Sequence, residues 1–210
     1  MRKRWIFLAA AGLAGLGAVT WSAMASNVET PDYNVESKTG NFEIREYGPT
    51  IVAEATVEGE RDKAIQRGFG IIADYIFGNN LSSAKVAMTA PVTQQSSEKI
   101  AMTAPVTQQA KGKSWNVRFV MPSKYTMETL PKPVNPQVVL IEVAATRIAA
   151  VRFSGFAGPD SLDQEEARLR AFMAERGLIA ASTPQYAFYN APWTLPFTRR
   201  NEILIEIAGE

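Results

Sequence analysis

The sequence predicts an α+β domain made of two β-β-α-β-β halves, which form a distorted β-barrel or curved antiparallel sheet carrying two helices. A weak internal repeat supports this, because residues 42–59 align without a gap on residues 138–155, and both copies read as strand, turn, strand, glycine and helix. The four identities in this alignment are Glu46/Glu142, Thr50/Thr146, Ala53/Ala149 and Gly59/Gly155. With 210 residues, 46% hydrophobic and 20% charged, the chain has an ordinary globular composition.

The first helix is predicted at about residues 60–77. An apolar stripe at helical spacing supports it, formed by Ile65, Phe69, Ile72 and Ile76. Two glycines, Gly68 and Gly70, lie inside this helix. Each costs roughly 1 kcal/mol relative to alanine, so close packing against a sheet or a flat ligand should compensate.

The second helix is predicted at about residues 162–176. Ser161 and Gln164 form a capping box at its start, and Gly177 fits the glycine that ends a helix. Its apolar face consists of Leu162, Leu169, Phe172 and Met173. Further strands are predicted at residues 114–121, 185–190 and 202–208, the last from alternation that includes Ile203, Ile205 and Ile207.

A second, local repeat doubles a short segment: residues 85–95 and 99–109 are identical at ten of eleven positions, at a spacing of 14. If both copies are strands, they can pair as a hairpin around residues 96–98, with Met88 opposite Val106 and Met102 opposite Val92. Each copy contains a proline, which favours an edge, a bulge or a strand end.

The amino end has the features of a targeting segment. Three basic residues at positions 2–4 precede an uncharged, largely apolar stretch, and small residues at Ala23 and Ala25 suit a signal peptidase. We expect residues 1–25 to be either a cleaved signal peptide or an uncleaved membrane anchor. Residues 26–40 are expected to be a polar tether and residues 41–210 the folded domain. The protein is therefore expected outside the cytoplasm, in the periplasm or anchored to the membrane facing it.

The composition excludes several classes of function. The chain has no cysteine and no histidine, which removes thiolate metal sites, thiol catalysis and the usual general base at neutral pH. Its net charge is +1, so it has no electrostatic footprint for nucleic acid. We therefore expect a protein that is not an enzyme, has no metal site of its own and binds no nucleic acid.

Several motifs resemble the SOUL family of haem-binding proteins. They are the doubled Lys-Ile-Ala-Met-Thr-Ala-Pro-Val segment, Gly68-Phe69, residues 75–79 and the C-terminal stretch 190–202. The resemblance covers about residues 41–207. It implies a pseudo-two-fold fold similar to effector-binding domains, and non-covalent, non-catalytic binding of haem or a related tetrapyrrole for carriage, buffering or protection.

The resemblance also implies where haem lies, against the apolar side of the first helix. Ile65, Phe69 and Ile72 would form the apolar wall of a groove between this helix and the sheet. Trp193 is a candidate for a further wall, with covering the edge of the core as its alternative role. The basic residues available to the haem propionates are Arg67, Arg199 and Arg200. For the last two the alternative role is a structural anchor, in which an arginine pairs with Glu202 or binds backbone carbonyls. Tyr75, Met88, Met102 and Tyr189 are the candidate iron ligands, with packing as the alternative role for each.

Two other functions remain open from the sequence. The same scaffold could bind or sense another flat amphipathic ligand. Alternatively, the protein could be a structural or interaction module that uses the doubled segment as an edge strand to pair with a partner protein.

Overall fold

The computed structural model describes residues 28–82 and 97–209. Nine strands form one antiparallel sheet in the order β1-β2-β9-β11-β10-β5-β6-β3-β8, and β4 and β7 form a separate pair. The elements are β1 (Tyr33–Thr39), β2 (Phe42–Tyr47), β3 (Thr50–Glu58), α1 (Arg61–Ile76), β4 (Asn80–Leu81), β5 (Val106–Lys111), β6 (Ser114–Val120), β7 (Lys132–Pro133), β8 (Val139–Val143), β9 (Thr146–Phe153), α2 (Pro159–Glu175), β10 (Gln185–Phe188), the 3-10 helix Pro196–Thr198 and β11 (Asn201–Glu206).

The sheet has the pseudo-two-fold symmetry that the internal repeat predicts. The halves are β2-β3-α1-β5-β6 and β8-β9-α2-β10-β11, and exchanging them reverses the strand order from β2 to β8. The symmetry axis therefore lies between β5 and β10. Gly59 and Gly155 occupy the same place in the two halves and have φ values of 106° and 99°, a backbone conformation that favours glycine. The predicted fold class is confirmed.

Both helices lie on the same face of the curled sheet, which forms a half-barrel. α1 packs on β3 and β6, and α2 packs on β9 and β11. One row of paired residues crosses this helix-bearing face from the α1 core to the α2 core: Ala55, Val117, Gln108, Tyr186, Ile203 and Val151. The two apolar cores are separate clusters, one under each helix. β5 and β10, in the middle of the sheet, lie between the helices.

The buried face of α1 is rotated from the predicted stripe. Its buried residues are Ala64, Gly68, Ile72, Tyr75 and Ile76, whereas Ile65 is half-buried and Phe69 is 38% exposed. The glycine determines this orientation, because a Cβ built on Gly68 would lie 2.5 Å from Cγ2 of Val117. Glycine thus allows a close approach of helix and sheet, which is the compensation expected for its low helix propensity.

The start of α2 differs from the prediction. The helix begins at Pro159 after Gly158, with no side-chain cap, so the expected capping box of Ser161 and Gln164 is wrong. Proline at the first helical position has its φ preset and needs no hydrogen-bond acceptor for its nitrogen, so the helix begins earlier. Gly177, with φ of 67°, follows the last turn as predicted.

The N-terminal predictions have mixed outcomes. The expected signal peptide or anchor, residues 1–25, lies outside the described residues. The expected polar tether contains β1, which pairs with β2 along the edge of the sheet. Nearly all β1 side chains are exposed, so no apolar alternation marks it as a strand. In the part of the chain that the structure describes, no helix is long and apolar enough to cross a bilayer.

The second copy of the doubled segment lies in the centre of the sheet. Its β5 pairs with β10 on one side and with β6 on the other. Of the three places that the proline predicts, an edge, a bulge or a strand end, the strand end is observed for this copy, and its use as an edge strand is wrong. Pro105 immediately precedes β5, where its missing N–H donor removes no ladder hydrogen bond. The first copy, and with it the predicted hairpin, lies outside the described residues.

Candidate functional site

A strip of the sheet between the two helices forms the candidate site. β5 and β10 contribute Gln108 and Tyr186 to the helix-bearing face, where they are paired neighbours. The Tyr186 hydroxyl donates a hydrogen bond of 3.0 Å to Glu166 of α2. Burial, together with the negative charge of Glu166, raises the pKa of Tyr186 to about 12. The phenol therefore stays protonated at neutral pH and holds the α2 side of the strip in place.

One flank of α1 forms the opposite wall. The backbone carbonyl of Arg61 accepts a hydrogen bond of 3.1 Å from Nε2 of Gln108, and its guanidinium lies 6.0 Å from the Tyr186 ring. Ile65 and Phe69 follow Arg61 by one and two helical turns and so lie on the same flank. We call the surface formed by Arg61, Ile65, Phe69, Gln108 and Tyr186 the inter-helix groove.

Two polar atoms in this groove have no hydrogen-bond partner among the described residues. They are Nη1 of Arg61, a donor, and Oε1 of Gln108, an acceptor, and both are buried. The Gln108 side chain is 1% exposed. Buried polar groups are almost always satisfied by protein or by ordered water. The groove therefore has unused capacity for one acceptor and one donor, supplied by water or by a ligand.

An exposed apolar surface adjoins the N-terminal end of α1. Its members, which we call the apolar loop cluster, are 59–74% exposed: Phe156, Trp193, Leu195 and Phe197. The Gly155 N–H donates to the Pro196 carbonyl at 2.9 Å, and the Arg61 guanidinium donates to the Ala157 carbonyl at 3.3 Å. These bonds tie the cluster to the groove. Large apolar side chains that are exposed together are typical of a binding surface.

The structure brings some of the predicted wall residues together and separates others. Ile65 and Phe69 lie on the groove flank, and Trp193 lies in the apolar loop cluster. Ile72 is fully buried in the core under α1. Together with the contact between Gly68 and Val117, this closes the space beneath the helix. A groove between α1 and the sheet is therefore absent from this part of the described chain, and the open surface lies beside the helix.

None of the three predicted basic residues is placed on the groove flank. Arg67 lies on the other side of α1, where it donates to the Glu58 carbonyl. The Arg199 guanidinium donates to the carbonyls of Thr194 and Pro192 within its own loop, and lies 5.3 Å from the Phe156 ring. Arg61, the cation of the groove, was not predicted from the sequence. Its position in the first turn, four residues before Ile65, was a signal that could have identified it.

Arg200 lies on the opposite, helix-free face and belongs to a buried ion network centred on Glu202. The Glu202 carboxylate accepts hydrogen bonds from Arg45 at 2.7 and 3.0 Å, from Arg200 at 2.9 Å and from the Tyr189 hydroxyl at 2.9 Å. Burial by itself would raise the pKa of Glu202, but the hydrogen bonds and charges of Arg45 and Arg200 lower it overall. Burial and the nearby Glu202 carboxylate raise the pKa of Tyr189. The pairing of Arg200 with Glu202 is the structural-anchor role predicted as the alternative for this arginine. Arg45, which lies on β2 beside two glutamates, was not predicted from the sequence.

The candidate iron ligands are scattered. The Tyr75 hydroxyl is buried and donates a 2.7 Å hydrogen bond to the Pro131 carbonyl, and Tyr189 faces away from the groove. Met102 is exposed, and Met88 lies outside the described residues. Among the residues that the structure describes, no group of three or more histidine, cysteine, aspartate or glutamate side chains could hold a metal ion.

A cavity of about 900 Å³ opens between the two edge strands β1 and β8. Its volume falls within the roughly 300–1,000 Å³ of small-molecule sites. The described residues that line it include Tyr33 and Tyr125 but no lysine or arginine. The acidic residues in this lining are Glu29, Asp32, Glu46 and Glu142. This lining is unsuited to an anion such as a haem propionate, because like charges repel.

Comparisons with known proteins identify relatives over nearly all of the described chain. The family model of the SOUL heme-binding protein matches residues 28–206. Heme-binding protein 2 of Homo sapiens is 29% identical over 86% of this chain and 87% of its own length. Heme-binding protein 2 of Mus musculus is 26% identical over 81% of this chain and 80% of its own length.

Solved structures share the fold at low sequence identity. The EcmrR C-terminal domain superposes with a TM-score of 0.56, at 13% identity, over 85% of this chain and 99% of that domain. A hydrolase from Listeria innocua superposes with a TM-score of 0.54, at 11% identity, over 82% of this chain and 94% of its own. At these identities the likeness shows a common fold alone.

Proposed function

We propose, from the premise that this chain belongs to the SOUL heme-binding protein family, that it binds haem or a related tetrapyrrole non-covalently and without catalysis. The proposed site is the inter-helix groove with the adjoining apolar loop cluster. One observation carries the choice of site: the exposed Phe69 lies two helical turns from Arg61 on the same flank of α1. The Arg61 guanidinium forms an ion pair with Asp62 through Nη2, whereas its Nη1 has no partner among the described residues.

The chemistry of this surface suits a flat ligand that is apolar over most of its area and anionic at one edge. A guanidinium presents forked donors that match a carboxylate. Arg61 would therefore take a propionate, and the apolar macrocycle would lie against Ile65, Phe69 and the apolar loop cluster. Burying roughly 400 Å² of apolar surface yields about 10 kcal/mol before the cost of association. That cost is roughly 4–15 kcal/mol, so the expected affinity is at most moderate.

Iron should contribute little to this affinity. None of the described groove residues offers a histidine, cysteine, methionine or free tyrosine hydroxyl, because the Tyr186 hydroxyl is hydrogen-bonded to Glu166. The macrocycle and its carboxylates would therefore determine affinity. Metal-free protoporphyrin should bind about as tightly as haemin.

Spectroscopic titration tests the proposal. Haemin and metal-free protoporphyrin IX are each titrated into the protein and into the variants Phe69→Asp and Arg61→Gln. We expect saturable binding of both ligands to the wild type, loss of binding in Phe69→Asp and weaker binding in Arg61→Gln. Phe77→Asp is the matched control, because Phe77 is an exposed aromatic residue at the C-terminal end of the same helix and lies outside the groove. Unchanged affinity in a folded Phe69→Asp variant would rule out the groove.

The proposal extends to location and role. Export followed by cleavage after Ala25, or retention by an uncleaved anchor, would place a tetrapyrrole binder where it carries, buffers or protects against haem outside the cytoplasm. The support is the basic and apolar amino end with small residues at the cleavage positions. The mass of the protein purified from the periplasmic and membrane fractions distinguishes cleavage from anchoring, and recovery of full-length protein from the cytoplasm alone would contradict export.

A second candidate function is favoured by the cavity between β1 and β8. Its four carboxylates suit a flat amphipathic cation, since opposite charges attract. Fluorescence titration with a planar aromatic cation such as acriflavine tests it. We expect saturable binding that is weakened by Glu46→Gln with Glu142→Gln and unaffected by Phe69→Asp; the absence of saturable binding would refute this function.

A further inference from the structure

The doubled segment is a tandem duplication that extends further upstream than its motif. Residues 82–95 and 96–109 are identical at twelve of fourteen positions. The two differences are Ala84 against Glu98 and Val86 against Ile100. The second copy fills a defined place in the sheet between β10 and β6, which we call the β5 slot. The first copy therefore has nearly the sequence that this slot accepts.

The slot holds the second copy through a few specific contacts. The Ile100 side chain is buried in the α1 core, and its N–H donates to the Ile76 carbonyl at 2.9 Å. The Thr103 hydroxyl donates to the Val120 carbonyl. The Gln108 side chain donates to the Arg61 carbonyl. At the slot entrance, Asn80 binds the backbone of Glu98 through both polar atoms of its amide.

Nearly all of these contacts are available to the first copy. At the positions equivalent to Thr103 and Gln108, the first copy has the same residue types, Thr89 and Gln94. The Asn80 amide binds only backbone groups, which Ala84 also offers. Asn80 and residue 84 are four residues apart, a length of chain that spans up to roughly 14 Å and so can reach the same place.

Only two contacts distinguish the copies. With Val86 in place of Ile100, the slot loses one buried methylene. This loss favours occupation of the slot by the second copy over the first roughly 2- to 13-fold. Ala84 in place of Glu98 removes the 2.6 Å hydrogen bond from the Tyr125 hydroxyl, a bond to a charged group that favours the second copy roughly tenfold or more. The exposed ends of β5, Ala110 and Lys111, tolerate the serines that would replace them.

We propose that the two copies exchange in the β5 slot. In this exchanged register Val92–Gln95 pair with β6 and β10, and the loop of the hairpin to β6 gains the fourteen residues 98–111. The connection from α1 to the slot shortens by the same fourteen residues. The entropic cost of the longer hairpin loop is therefore largely offset by the lower cost of the shorter connection. The two lost contacts favour the observed register by about 20- to 1,000-fold, which leaves about 0.1–5% of molecules in the exchanged register.

Proline substitution in the full chain measures the exchange. Gln108→Pro places proline in a central strand and expels the second copy from the slot. We expect this variant to remain folded on the first copy, with its folding equilibrium constant lowered about 20- to 1,000-fold. Gln94→Pro should have no measurable effect, and the double variant should not fold. Unfolding of Gln108→Pro to the same extent as the double variant would overturn the proposal.

Cysteine trapping gives a direct readout, because the natural chain has no cysteine. Gln109 and Gln185 are paired neighbours in the observed register, so Gln109→Cys with Gln185→Cys should form a disulfide readily. Gln95→Cys with Gln185→Cys should form one more slowly, in proportion to the exchanged population. Gln94→Cys with Gln185→Cys is the control, because adjacent strand residues face opposite sides of the sheet. Equal yields at positions 94 and 95 indicate random collision and would refute the exchange.

Discussion

Replacing Gly68 by alanine tests the close approach of α1 to the sheet. In most helices this change stabilises a protein by about 0.5–1 kcal/mol, because glycine loses more backbone freedom on folding. Here the new Cβ would lie 2.5 and 2.7 Å from two carbons of Val117. Real Cβ atoms do not approach so closely, so helix or strand must move, and overpacking of this kind costs about 1–3 kcal/mol.

The net expectation for Gly68→Ala is a loss of about 0.5–2 kcal/mol in the free energy of unfolding. For a chain of this length that lowers Tm by about 1–8 °C. Gly70→Ala is the matched control two residues away, because a Cβ there would meet nothing within 4 Å. It should gain about 0.5–1 kcal/mol. Thermal unfolding followed by circular dichroism measures both.

The sign of the difference decides the interpretation. If Gly68→Ala stabilises the protein as much as Gly70→Ala does, the helix is not held against Val117. The conclusion that a ligand must bind beside α1, and not beneath it, then loses its basis. Adding Val117→Ala should relieve the contact, so the double-mutant cycle should show a favourable coupling between the two substitutions.

The remaining predictions concern the buried ion network and acid stability. Glu202→Gln removes the buried counter-charge that Arg45 and Arg200 share and leaves Arg45 only the partly buried Glu43. It should cost about 3 kcal/mol in urea unfolding, the lower end of the range for a broken buried ion pair. Glu206→Gln, a half-buried carboxylate on the same strand, is the control, and an equal loss in both variants would contradict the assigned role. Because the pKa of Glu202 is lowered in the folded state, its contribution should be fully present above about pH 4.5 and lost as the pH falls through its folded pKa. Wild-type stability should therefore decline more steeply on acidification than that of Glu202→Gln, and parallel pH profiles would show that another group is responsible.

The fold was accessible from the sequence because each half carries its own local signals. Gly59 and Gly155 mark the same turn into a helix in both halves, and strand alternation such as that around Ile203 indicates a face buried against a helix. β1 was missed because its exposed side chains carry no alternation. The start of α2 was misplaced because Pro159 acts through its ring geometry and not through a side-chain cap.

The candidate site was only partly accessible, because a helical stripe does not reveal the exact rotation of the helix. Ile65, Phe69 and Ile72 were predicted to form one wall. The close packing at Gly68 rotates the helix, so that Ile72 lies in the core while Ile65 and Phe69 flank the groove. Arg200 and Arg199 are adjacent in sequence but serve different faces of the sheet, since successive residues of an extended chain point in opposite directions.

The amino-acid sequence by itself determined the duplicated architecture, the succession of elements and kinship with the SOUL family, because periodicity, glycine positions and motifs are local properties of the chain. The tertiary structure alone decided that Arg61 and Gln108 meet in the groove and that Arg45 neutralises Glu202. These pairs come from strands and helices far apart in the chain. Their contacts depend on strand order and on the distance between helix and sheet, which only the packed molecule defines.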